Sequence, residues 1–105
     1  MKYLITESQL FNTVFTYIDM MKLFMMETSR SYEFYTSRES FDNGEYPVIN
    51  FDKEFSDCFI SSDFAAELSD IFSFHIEQSL SLICDWVEKT LGVQVETFMS
   101  DFGAD

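Results

Sequence analysis

The stretch from Asp63 to Gly92, DFAAELSDIFSFHIEQSLSLICDWVEKTLG, decides the fold of this 105-residue chain. Phe64, Leu68, Ile71 and Phe72 recur at steps of four, three and one, which gathers them on one side of a helix, while Asp63, Glu67 and Asp70 recur on another. Leu80, Ile83, Val87 and Leu91 repeat the pattern, with Cys84 and Trp86 flanking them and Asp85, Glu88 and Lys89 outside. The spacing therefore predicts two helices in series, Asp63 to about Ser73 and Glu77 to about Leu91, joined by an apolar elbow at Phe74-His75-Ile76. Ser62 or Asp63 is placed to cap the first, and Gly92 stands where a left-handed residue ends the second.

Outward from this pair, Thr6-Glu7-Ser8-Gln9 reads as a capping box, with Ile5 stapling to Leu10. The helix it opens is expected to run to about Met26, carrying Leu10, Val14, Ile18, Met21 and Met25 on one face and widened by Phe11, Phe15 and Phe24. Tyr32 to Thr36 and Tyr46 to Phe51 have strand composition and form a hairpin across a long connection, Ser37 to Glu45, with Pro47 at a strand start or an edge. Phe55 to Ile60 and Val93 to Phe98 are further strand candidates, and Ser100 to Asp105 reads as a frayed acidic tail. The expected architecture is α+β in one domain spanning 1–105: an N-terminal helix, a small, mostly antiparallel sheet of three to four strands, and two C-terminal helices packed on it.

Thirteen Phe, five Tyr and one Trp make the expected core aromatic. The 19 acidic and 6 basic residues give a formal charge of −13. That balance argues against direct nucleic-acid binding, which draws on Lys and Arg neutralising phosphates, and against an anionic membrane surface. The charge is uneven: residues 54–105 hold eleven acids and Lys89 as the sole base. Cys58 and Cys84 lie in apolar contexts and read as reduced core thiols. With no signal-like opening and no apolar run long enough to span a bilayer, the expected compartment is a reducing cytoplasm.

The opening Met1-Lys2-Tyr3-Leu4-Ile5-Thr6-Glu7-Ser8-Gln9, together with Ile71-Phe72-Ser73-Phe74 and Trp86-Val87-Glu88, resembles small uncharacterised proteins of marine tailed bacteriophages. The resemblance covers both ends of the chain and skips the middle. It implies a viral origin and work inside an infected bacterium, and it carries no catalytic residue.

Motifs with chemical content are sparse. Asp101-Phe102-Gly103 spells a kinase tripeptide without the Gly-rich loop or catalytic loop that would accompany it. His75-Ile76-Glu77 spells half a deaminase signature without its Pro-Cys-x-x-Cys. Asp42, Asn43, Glu45 and Asp52 lack the twelve-residue spacing of a calcium loop. No catalytic residue, metal site or cofactor is expected, and the chain does not read as an enzyme.

Two surfaces remain. Asp63, Glu67 and Asp70 lie on successive helical turns, with roughly 5–6 Å between Cβ atoms, and Glu77, Asp85 and Glu88 extend the acidity into the next helix. Such a row can imitate the backbone of a nucleic acid to a basic protein partner. The alternative is self-association through Phe11, Phe15, Met21 and Met25, since methionine-rich helix faces adapt to partners. The chain is thus expected to be a monomer or a homodimer.

Overall fold

The computed structural model describes residues 7–102, with side chains from 9 to 100. Its elements run α1 (Glu7–Met21), β1 (Phe24–Glu27), β2 (Ser31–Tyr35), α2 (Arg38–Asp42), β3 (Ile49–Asp52), β4 (Asp57–Ser61), α3 (Ser62–Phe72), α4 (Ile76–Leu91) and β5 (Thr97–Phe102). The strands lie in chain order in one sheet. β1 to β4 form an antiparallel meander, and β5 adds parallel to β4. Strands that pair in parallel need a long crossover, and the α3–α4 pair supplies it.

Register divides the side chains between two faces. Phe34 pairs with Ile49, Ile49 with Ile60, and Phe51 with Cys58, so these point to one side, and α1, α3 and α4 close over them. Val14, Ile18, Ala65, Leu68, Ile83 and Val87 complete that core. Trp86 stacks edge-on over Phe34 with centroids 5.1 Å apart, and its indole N–H donates to Asp19 Oδ1 at 2.9 Å, tying α4 to α1. Phe24 and Tyr35 pair on the opposite face, where the short α2 lays Phe41 against both rings.

The helical half follows the sequence in its boundaries, but Ile71, expected on the apolar stripe of α3, is 49% exposed. α3 ends at Ser73, which takes a left-handed φ of 59°, and α4 ends at Gly92 with φ 69°, whose N–H donates to the Glu88 carbonyl at 2.8 Å. The buried Ser79 hydroxyl meets that of Ser69 at 2.7 Å, so a polar pair inside the α3–α4 contact is satisfied. The cap of α3 is Ser61, one or two residues before the expected Ser62 or Asp63; its hydroxyl accepts from the Phe64 N–H.

Several expectations are corrected. The N-terminal helix stops at Met21, five residues short of Met26, because Lys22 turns left-handed (φ 52°) and Phe24 to Glu27 leave to pair with β2. The sheet has five strands rather than three or four, and it is mixed. Val93 and Val95 are half-buried loop residues against the core, and the last strand begins at Thr97 and includes Ser100, which the expected tail had claimed. The Ser37–Glu45 connection holds α2, capped by Ser37. The Thr6–Gln9 box, the Ile5 staple and the extended Met1–Ile5 involve residues outside those described. Among the described residues no helix is long and apolar enough to cross a membrane.

Candidate protein-binding face

Burying Phe64, Ala65 and Leu68 against the sheet turns the opposite side of α3 outward. Asp63, Glu67 and Asp70 are exposed on that side, and Glu77 is exposed in the first turn of α4. Among the described residues none of these four pairs with a Lys or Arg. The ion pairs lie elsewhere, Lys53 with Glu27 at 2.8 Å and Arg38 with Asp42 at 3.8 Å. Lys89 sits with its Nζ 5.4 Å from the Phe15 ring centroid.

The other two acids expected on this face differ in kind. Glu88 is half-buried and its Oε2 accepts the Val95 N–H at 2.8 Å, which pins the loop leading to β5. Asp85 is half-buried beside it; loss of hydration, then the Glu88 charge, holds its carboxyl above the ordinary aspartate range. Of the six acids, Asp63, Glu67, Asp70 and Glu77 are thus the exposed ones.

Glu67 also lies near Tyr17 of α1, whose pKa is raised by burial and then by the Glu67 charge. The Tyr17 ring meets Phe72 edge-on at 5.6 Å. In front of Asp63 and Glu67 opens a cleft of about 280 Å³, floored by Met21, Val48 and Phe64. Thr36 and Ser61 complete its lining. None of the seven lining residues is basic. Tyr17, Thr36, Val48 and Ser61 were not foreseen, since four separate segments converge here and no local pattern announces that.

The self-association residues do not form one helix face. Phe11 and Phe15 stack on α1 with centroids 6.0 Å apart, Met21 floors the cleft, and Met25 belongs to β1, where it is 42% exposed. Met20, 75% exposed, is the more open methionine.

The remaining candidates have local roles. His75 is exposed at the N-cap of α4 and makes no side-chain capping bond. Asp42 pairs with Arg38, Asn43 ends α2, and Glu45 accepts the Ser40 hydroxyl at 2.9 Å. Asp52 Oδ1 accepts the N–H groups of Glu54 and Phe55. Cys58 and Cys84 are free and buried; the neighbouring Cys58 thiol, then burial, pushes the Cys84 pKa up. Such a thiol stays protonated and unreactive. Among the described residues no three His, Cys, Asp or Glu side chains are grouped as metal ligands would be. No family model, curated protein or solved structure matches the chain.

Proposed function

We propose that this chain is a non-enzymatic accessory protein of a tailed bacteriophage, acting in the cytoplasm of the infected cell by binding a protein with a basic surface. The row Asp63, Glu67, Asp70 and Glu77 stands in for nucleic-acid phosphates, so a partner that handles nucleic acid is occupied by an imitation of its ligand. One observation carries this reading: these carboxylates are exposed, and among the described residues none of them forms an ion pair with a Lys or Arg, while Lys53 and Arg38 pair with other acids. Carboxylates on successive turns without counter-charges repel one another by a few tenths of a kcal/mol per pair, and a cationic partner relieves that cost. The viral origin rests on the resemblance of the chain's two ends.

The test is affinity capture from infected cells, followed by titration of the captured partner at low and high salt. Exposed ion pairs contribute about 0.2–1 kcal/mol each, so Asp63→Asn/Glu67→Gln/Asp70→Asn is expected to weaken binding by roughly three- to a hundredfold. Affinity unchanged between low and high salt removes the electrostatic reading.

A second reading, self-association, draws on the exposure of Met20 and Met25. Sedimentation at high concentration separates the two, because a strict monomer removes it.

A further inference from the structure

The cleft beside α3 differs from the acidic row it adjoins, because it is a half-open concavity with apolar side chains in its lining. At about 280 Å³ it falls just below the roughly 300–1,000 Å³ of pockets that enclose small-molecule ligands and cofactors. Its chemistry is divided. Met21, Val48 and Phe64 offer a surface for methylene groups, and Asp63 and Glu67, one turn apart, stand at the mouth. Two carboxylates above an apolar floor complement a side chain with a hydrocarbon stem and a cationic, multiply donating head. Lysine offers a point charge, whereas the planar guanidinium can donate to both carboxylates at once.

The geometry points to this cleft as the socket for a single arginine side chain of the partner protein, its stem on Met21, Val48 and Phe64 and its guanidinium bridging Asp63 and Glu67. This rests on the acidic-face reading and deepens it: the row supplies attraction at a distance, and the socket supplies an anchor. Anchors of this kind, a buried arginine among near-neutral contacts, dominate many interfaces.

The experiment uses the ¹⁵N-labelled full chain and the blocked tripeptide acetyl-Gly-Arg-Gly-amide, followed by amide chemical shifts. Shifts confined to Met21, Val48 and the Asp63–Glu67 turn are expected. The citrulline analogue, isosteric but uncharged, is expected to bind at least about tenfold more weakly. Asp63→Asn/Glu67→Gln is expected to abolish the shifts. So is Thr36→Trp, which fills the cleft from its exposed rim and leaves every carboxylate in place; the amide spectrum reports whether that variant folds. Free arginine binding more tightly than the blocked tripeptide would overturn the protein-anchor assignment in favour of a small amino-acid ligand.

The wider row is read separately with a hexa-arginine peptide and Asp70→Asn/Glu77→Gln, two positions outside the cleft. If that pair weakens hexa-arginine while Thr36→Trp leaves the tripeptide shifts intact, the socket is refuted and the acidic face stands. If Thr36→Trp abolishes the shifts and the outer pair changes nothing, the socket stands and the wider face is refuted. If neither variant has an effect, both are refuted.

Discussion

Replacing Asp19 by alanine tests how α1 is fastened to the rest of the fold. Trp86 is 5% exposed and its indole N–H, which can only donate, reaches Asp19 Oδ1 at 2.9 Å across 67 residues of sequence. Stranding a buried donor costs about 1–3 kcal/mol. Two effects pull the figure down. Asp19 and Trp86 line a shallow cleft of about 300 Å³, so water can reach the orphaned N–H. Asp19 also lies in the last turn of α1, where a negative charge opposes the helix dipole, and its removal returns about 0.3–1 kcal/mol. The net expectation is a loss of about 1 kcal/mol, or roughly 4–8 °C in Tm for a domain near this size. Urea unfolding followed by Trp86 fluorescence reads it, and Asp19→Asn, which keeps an acceptor, is expected to lose less. A cycle with Trp86→Phe, followed by circular dichroism, isolates the bond. If Asp19→Ala is as stable as the parent and the cycle shows no coupling, the dipole term outweighs the hydrogen bond and the reasoning fails.

Three further outcomes follow from backbone and titration. Gly92 has φ +69° with nothing near an added Cβ, so Gly92→Ala is expected to cost about 1 kcal/mol from conformation alone; Lys22→Gly, at φ 52°, is expected to gain a similar amount, and paired urea melts check both signs. The Tyr35 hydroxyl donates to Glu33 at 2.7 Å, and burial, then Glu33, raise its pKa to about 12 from an ordinary 10.0. Its contribution is thus complete below pH 10 and lost as pH rises toward 12, a loss that Tyr35→Phe is expected to remove from the alkaline urea profile. Ionised Asp85 is penalised by lost hydration and by Glu88, so Asp85→Asn is expected to raise the urea midpoint at pH 7. That gain shrinks as acid protonates the parent carboxyl, and a midpoint lowered at pH 7 would contradict the assignment.

The helical half was legible because its burial is one-sided. Period and capping agree there, and boundaries fall within a residue or two of the spacing. The end of α1 was not, because Leu23-Phe24-Met25-Met26 is apolar on every side and fits helix and strand alike. Pairing with β2 decides it, against a left-handed Lys22 that costs about 1–2 kcal/mol. Val93 and Val95 misled for a related reason: alternating valines mark a strand, but here they pack on the core from a loop that Glu88 holds. On the candidate face the exposed acids of α3 could be read from spacing. The withdrawal of Glu88 into a backbone bond, and a cleft walled by four segments, arise only once the chain is closed.

The parallel pairing of β5 has a kinetic consequence. The strands of the meander meet their neighbours across connections much shorter than the crossover, the longest being the α2 segment between Tyr35 and Ile49, whereas Thr97 must find Asp57 from 40 residues away, after α3 and α4 are laid down. Loop-closure entropy therefore delays the last strand relative to the first four. Contacts formed after the rate-limiting step leave the refolding rate nearly unchanged and govern the unfolding rate. The fifth strand is accordingly the latch that sets how long the native state persists, while the first four set how fast it is reached.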